Sequence, residues 1–342
     1  MGRVSDDALH PFARLTPEVV LDALSGVGLP VDGRLIGLNS YENRVYQAML
    51  EEGAPVVAKF YRPGRWSDAQ IREEHAFSVE LSAEDIPVVS PLMLQGDTLH
   101  PLNVQAEDGT RTHYAFSVCP RRGGRRPELD DPEVLEWIGR FLARIHQVGE
   151  RRPFDHRPAL TLQSHGLEPM TLLLQHPVPA EIRSAWQRAV ESALDLVEQA
   201  LREPYQVLRL HGDAHPGNIL WTPVEMPQGG PHFVDLDDAR MGPAVQDLWM
   251  LPSGDRRERT LQWSALLDGY TSMRPIDSRE LLLVEPLRTL RLIHYSAWLA
   301  QRKDDPAFAE HFGWFGTPAY WQEQVRILHD QIEAMQEDPL ML

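Results

Sequence analysis

At 342 residues, 42% hydrophobic and 24% charged, the chain can bury a sizeable core and reads as one bilobal unit or two modest domains. Acidic residues outnumber basic ones 50 to 33, a formal charge of −17, which argues against general nucleic-acid or membrane-surface binding. A single cysteine, Cys119, excludes an intramolecular disulfide and suits a reducing compartment. With no apolar run of membrane-spanning length and no signal-peptide core in Met1–Phe12, a cytoplasmic location is expected.

In chain order, residues 1–14 read as a loosely held tail. Thr16-Pro17-Glu18 then supplies an N-cap, a first-turn proline and an acidic first turn, opening a helix to about Leu24 that Gly26 and Gly28 end. From Gly33 to Val118 the pattern turns to strands. Arg34–Asn39 and Arg44–Leu50 are joined by a hairpin turn at Ser40-Tyr41-Glu42-Asn43, and Val56–Phe60 carries one lysine, Lys59, in an apolar run. A helix over Ser67–Leu81 follows and stops before Ile86-Pro87-Val88, where proline prevents continuation. It offers two adjacent carboxylates, Glu73 and Glu74, which one helical step swings about 100° apart. Leu99–Gln105 and His113–Val118 are two more strands, with a turn at Glu107-Asp108-Gly109.

Arg121-Arg122-Gly123-Gly124-Arg125-Arg126 is the most basic run in this acidic chain. It could hold an acidic peptide, a phosphorylated residue or a phosphate tail, but a solvated loop is the commoner explanation of such a run; it is too short and lacks the interleaved aromatics that nucleic-acid binding needs. The remainder is mainly helical. Asp131-Pro132-Glu133 caps a helix through about Gln147, with Leu135, Ile138, Leu142 and Ile145 on one face; His146 near its end reads as a capping or packed residue. Further helices are expected over Ala180–Leu201, Asp255–Tyr270, Ser278–Gln301 and Pro318–Met335.

The chemistry concentrates in Leu208-Arg209-Leu210-His211-Gly212-Asp213-Ala214-His215-Pro216-Gly217-Asn218-Ile219-Leu220-Trp221, followed by Phe233-Val234-Asp235-Leu236-Asp237-Asp238. Apolar flanks at Val207–Leu210 and Ile219–Trp221 place the polar residues on short strand ends, as a preorganised site requires. A carboxylate, a carboxamide and a second carboxylate so placed suit a magnesium–nucleotide complex, because magnesium takes one or two protein oxygens and the rest from phosphate and water. Phosphoryl transfer asks little more than a placed hydroxyl, a held metal and neutralised charge. His211 and His215 have the H-x-x-x-H spacing of a zinc pair, but Pro216-Gly217 makes helix continuation there unfavourable and zinc is discounted. Taken singly, each of these signals is weak; their strength is joint.

His211-Gly212-Asp213 with Asn218, then Asp235, resembles the catalytic and metal-binding loops of protein-kinase-like enzymes, in the form found in the aminoglycoside phosphotransferase and choline kinase branch. The run Phe233–Leu251 is similar to the bacterial stress response kinase A family in particular, and the likeness extends from Tyr41-Glu42-Asn43-Arg44-Val45-Tyr46 to the C-terminal helices. The resemblance implies an α+β, two-lobed protein-kinase-like fold: residues 1–30 a tail and helix, 31–119 a nucleotide-binding lobe of antiparallel sheet plus helix, and 120–342 a helical catalytic lobe. It also implies a cytoplasmic, magnesium- and ATP-dependent phosphotransferase acting on Ser or Thr of proteins, itself included, in stress response. No nucleic-acid or membrane partner is expected, and a monomer is.

By the same resemblance Asp213 orients the acceptor hydroxyl, and Asn218 and Asp235 hold the metal. Lys59 pairs with the ATP phosphates and with a helix glutamate. The family pattern sets that glutamate seven positions before a leucine, which selects Glu74 with Leu81. Ser40 contacts phosphate in place of the missing G-x-G-x-x-G, although from the residues alone an ordinary turn serine is the favoured reading and only the resemblance raises it. The backbone of Val118-Cys119-Pro120 holds adenine, with the Cys119 thiol a small filler rather than a nucleophile. Asp237 is an acid beside the metal or a ligand to a second ion, and Asp247 ties a helix start to the catalytic loop. The short span from Asp235 to Asp247, with Gly242-Pro243 in it, shows no phosphorylated activation loop. A small-molecule hydroxyl kinase and a non-catalytic nucleotide-binding module are the rival readings.

Overall fold

The computed structural model describes residues 11–105, 109–175 and 178–337. Helix α1 (Pro17–Gly26) starts where Thr16 accepts the amide hydrogen of Val19 and Pro17 occupies the first turn. Strands β1 (Val31–Leu38), β2 (Arg44–Leu50) and β3 (Val56–Phe60) lead to helix α2 (Asp68–Ala83), and β4 (His100–Gln105) and β5 (Arg111–Pro120) follow. These five strands form one antiparallel sheet in the order β1-β2-β3-β5-β4. Helices α3 (Pro132–Gly149), α4 (Glu168–Gln175, entered through one π turn at Gln163–Leu167) and α5 (Ala180–Ala200) come next. Four short strands surround the sequence motifs: β6 (Leu208–Leu210), β7 (Ile219–Thr222), β8 (Gly230–Phe233) and β9 (Arg240–Gly242), paired β6 with β9 and β7 with β8. Helices α6 (Arg256–Thr271), α7 (Val284–Arg302), α8 (Phe308–Phe312) and α9 (Pro318–Gln336) complete the chain. Among the described residues no helix is long and apolar enough to cross a membrane.

The chain falls into two compact units. One takes the described residues up to Pro127 with Phe154–Arg157 and Pro216–Ala239; the other takes Glu128–Pro153, Pro158–His215 and the described residues from Arg240 on. The first unit therefore continues past residue 119, and the change from the second unit back to the first falls between His215 and Pro216, inside the motif that joins Asp213 to Asn218.

In the first unit, strand alternation builds the core. Val56, Ala58 and Phe60 of β3 are buried and cluster with Val20 and Leu24 of α1, Ala48 of β2 and Phe116 and Val118 of β5. Residues 1–10 of the expected tail lie outside the described residues, but Phe12 is not loose. It is buried, stacks on Tyr114 with ring centres 6.1 Å apart, and carries the Arg44 guanidinium 4.9 Å over its face. Strand β1 starts three residues before the expected Arg34, because Gly33 adopts φ +90° within an irregular stretch between Val31 and Leu35. Of the turn expected at Glu107-Asp108-Gly109, the first two residues lie outside the described ones; Gly109 has φ +81°.

Ser67 caps α2 through a reciprocal pair with Gln70. The helix is fastened to the segment Phe154–Arg157: Glu73 accepts the backbone N–H groups of Asp155, His156 (2.8 Å) and Arg157 (2.7 Å), Gln70 donates to the carbonyl of His156, and Phe77 packs edge-on against Phe154.

In the second unit, α3 and α6 approach so closely that a Cβ on Gly139 would lie 2.2 Å from the carbonyl oxygen of Leu266, and one on Gly269 would lie 2.1 Å from that of Glu136. The helix expected over Ser278–Gln301 is corrected: Ser278–Leu283 winds as a 3-10 turn and the α-helix begins at Val284. Pro286 is the reason, since a residue without an N–H is tolerated only in the first turn of an α-helix.

Candidate active site

The face of the sheet opposite α1 carries the chemistry. Period-two alternation turns Val57 and Lys59 away from the core that Val56, Ala58 and Phe60 fill, and antiparallel register sets Val45 and Ser117 beside Lys59, and Cys119 beside Val57. All five line a pocket of about 430 Å³ that also takes in Ser40, Glu74, Asn218 and Asp235. Every lining residue belongs to the first unit, and the volume is that of an ordinary small-molecule site.

Lys59 is the electrostatic centre. Its Nζ lies 2.6 Å from Oδ1 of Asp235 and 3.5 Å from Oδ1 of Asp237, and these are its ion-pair partners among the described residues. Burial opposes its charge, but the two aspartates outweigh that and hold the ammonium well above the ordinary lysine range. Glu74 is buried and lines the pocket without making a direct pair with Lys59. Burial pushes its carboxyl up to about 7, against the pull of Lys59 and Arg157. Behind them Tyr61 joins His75 (2.8 Å) to Ser117 (3.0 Å), and His75 reaches Thr98 (2.9 Å); burial pushes the His75 imidazole down to about 3, so it is neutral.

The Asp235–Asp238 segment is clamped from several directions. Arg65 donates to Asp237 (2.8 Å) and Asp238 (2.9 Å), Asn43 donates to Asp237 (2.9 Å), and the buried Arg157 donates to the carbonyls of Leu236, Asp237 and Ala239. Arg65 and Arg157 also both lie against the ring of Trp66, at 5.4 and 4.3 Å. Burial works against a charge on Asp237, yet Lys59 and Arg65 overcome it and keep the carboxyl below the usual carboxylate range. Asp237 is thus engaged by three donors, whereas the Asp235 side chain is half exposed on a left-handed backbone (φ 61°, ψ 60°).

In the second unit the loop after β6 is built on Asp247, whose carboxylate accepts the backbone N–H groups of His211 and Gly212, both at 2.8 Å. His146 donates from Nε2 to Asp247 (3.1 Å) and its Nδ1 meets the Tyr270 hydroxyl (2.8 Å), so it is a wholly buried strut rather than a helix-end cap in solvent. Gly212 takes φ +86°, a turn that a side chain would resist. The loop presents Asp213, whose Oδ1 lies 2.7 Å from Arg291 of α7 and whose Oδ2 lies 3.5 Å from Nε2 of His215.

Of the residues singled out by sequence, Ser40, Lys59, Glu74, Cys119, Asn218 and Asp235 share one pocket, and Asp213 stands on the second unit's loop. Burial pushes the Cys119 thiol up to about 12, which leaves no thiolate for chemistry. Sequence reasoning missed Arg65, Arg157 and Arg291; no periodicity or spacing marks an arginine that reaches across a fold. Among the described residues no three His, Cys, Asp or Glu side chains gather as a closed metal site. Asn218 and Asp235 do offer two hard oxygen donors on one pocket wall, the donor set and number that magnesium takes from a protein when phosphate supplies the rest.

A five-stranded antiparallel sheet with one helix, a mainly helical second unit and a lysine–asparagine–aspartate pocket define a kinase-like phosphotransferase. The sequence profile of the phosphotransferase enzyme family matches residues 34–281. Among the relatives, the serine/threonine protein kinase RdoA of Salmonella typhimurium is 43% identical over 98% of both chains. Stress response kinase A of Escherichia coli K12 has the same identity and coverage. The solved amicoumacin kinase hAmiN shares the fold, with a TM-score of 0.72 at 20% identity over 96% of each chain. The chain belongs to the phosphotransferase enzyme family, within the group formed by the stress response kinase A proteins.

Proposed function

We propose that the protein is a cytoplasmic, monomeric, ATP- and magnesium-dependent kinase that phosphorylates Ser or Thr hydroxyls of proteins, its own chain included, in a stress response. The observation that carries this reading is the gathering of Lys59, Asn218 and Asp235 in one pocket of about 430 Å³. The names of the relatives, serine/threonine protein kinase and stress response kinase A, support the acceptor class and setting.

In this reading residues 31–119 supply most of the nucleotide site. The strand-end backbone at Cys119 meets adenine, Ser40 and its neighbouring amides meet phosphate, and Lys59 exchanges one of its carboxylate partners for phosphate oxygen. Glu74 keeps the pocket wall behind Lys59 negative when ionised. Asn218 and Asp235 hold magnesium, which when bound neutralises charge on the transferring phosphoryl group. Asp213 orients the acceptor hydroxyl and takes its proton late, since the transition state is loose.

The test is incorporation from γ-labelled Mg-ATP, with and without a generic acceptor protein, beside Asp213→Ala. Label at Ser or Thr on the wild-type chain or acceptor is expected, with turnover reduced roughly 100-fold or more in the variant. Equal turnover in the two proteins would remove Asp213 from its role. Thermal stabilisation by ATP without label would redirect the search to small-molecule hydroxyls.

A further inference from the structure

The acceptor-orienting carboxylate is not alone. Arg291 places Nη1 2.7 Å from Oδ1 of Asp213, and His215 stands 3.5 Å from Oδ2, so both oxygens face nitrogen donors within the second unit. Asp213 is the ion-pair partner of Arg291 among the described residues, and the arginine side chain remains 43% exposed. A guanidinium has five donors in a rigid fork. Nη1 pairs with Asp213, and the side chain keeps exposed surface beside the carboxylate that would handle the acceptor.

This has a consequence for acceptor chemistry. A hydroxyl carried next to an ammonium group would meet a fixed cation at the aspartate that must receive it. A hydroxyl flanked by carboxylates would find a second partner for Arg291 in a charge-assisted pair. The same helix face continues the pattern. At helical spacing from Arg291 come the exposed Tyr295, then Trp298 stacked on it at 5.7 Å, then Arg302 with its guanidinium 4.4 Å over the Trp298 ring. Arg291 to Arg302 spans about 16 Å of helix, the length of about five residues of extended chain.

We propose that Arg291 is a specificity-determining residue, and that the α7 face from Arg291 to Arg302 docks an extended, acidic segment of the acceptor protein around its Ser or Thr, disfavouring acceptors with a cationic group beside the hydroxyl. The proposal rests on the reading of Asp213 as the acceptor-orienting residue. The whole chain carries a charge of −17, which on its own attracts basic peptides and repels acidic ones. A preference for acidic peptide therefore has to come from a local feature.

The experiment uses the full chain with magnesium and a non-hydrolysable ATP analogue. Two fluorescent peptides, with Ala in place of the acceptor Ser, carry either acidic or basic residues on both flanks and are titrated by anisotropy. The acidic peptide is expected to bind at least tenfold more tightly. Arg291→Glu should erase or invert the ratio, Arg291→Gln should reduce it, and Arg291→Lys should restore part of it, with circular dichroism confirming that each variant folds. Binding of neither peptide, equal binding, or a ratio unchanged in Arg291→Glu overturns the proposal. Selective acidic binding that depends on Arg291, in a protein that transfers no label to Ser or Thr, would leave the acidic preference of this face standing and overturn the protein-kinase reading, and with it the segment's role as acceptor.

Discussion

Asp235 has a backbone that few side chains tolerate. In the left-handed region Asp and Asn are accepted because their short polar side chains bond locally, while other L-residues lose about 1–2 kcal/mol. Asp235→Asn should therefore weaken metal–ATP binding with little loss of stability, whereas Asp235→Ala should lose both, as urea unfolding and nucleotide titration would show. Glu74 makes a pH prediction. Its folded carboxyl titrates at about 7, above the ordinary 4.5, so the folded state keeps a proton that the unfolded chain releases. The stability this group contributes is complete below 4.5 and is lost as pH rises towards 7, by about 3 kcal/mol. Glu74→Gln should flatten that part of the stability–pH curve. At this scale the sequence was most legible where residue type and spacing carry the chemistry: Lys59 stood out as one charge in an apolar strand, and Asp213 with Asn218 by their interval. The adjacent glutamates were separable only by likeness to a family, because helical geometry says that they diverge but not which one meets the pocket. The structure gives each a task, Glu74 in the pocket wall and Glu73 as acceptor of three backbone amides.

Elements with local signals were legible. Thr16-Pro17 and Asp131-Pro132 mark two helix starts that the structure keeps, since a cap needs only neighbours in sequence. The short strand β9 was not expected, for a three-residue strand has too little pattern and exists by pairing with the distant β6. The contact of α3 with α6 was equally hidden. Gly139 and Gly269 look like weak points in two helices, yet each lies where the other helix's backbone passes. Gly139→Ala would set a methyl group against the Leu266 carbonyl and, at 2.9 Å, the Tyr270 nitrogen, neither of which can rotate away. Destabilisation of about 1–3 kcal/mol is expected, read as a lower urea midpoint with an unchanged slope.

At the scale of the molecule, fold class followed from the order of elements, strands and one helix before a long helical run, together with the likeness carried by the motifs. The recruitment of Pro216–Ala239 and Phe154–Arg157 into the first unit did not follow, because it depends on contacts far apart in sequence. A nucleotide that binds only the folded chain stabilises it by about 2.7 kcal/mol at a hundred times its dissociation constant. Mg-ATP should thus raise the melting temperature of wild type and Asp213→Ala alike, and that of Asp235→Asn much less.

The fastening of α2 bears on how such an enzyme is controlled. Three backbone amides donate to the Glu73 carboxylate, and a hydrogen bond to a charged group contributes about 1.5–3 kcal/mol. Even at the lower figure, releasing all three costs about 5 kcal/mol, which leaves a swung-out helix with a population of at most roughly one in several thousand. Hydrogen exchange at Asp155, His156 and Arg157 should accordingly be slow and the same with and without nucleotide. With α2 tied down in this way, control by swinging that helix outward is disfavoured, and turnover without prior phosphorylation is the expected outcome when freshly dephosphorylated protein is given labelled Mg-ATP.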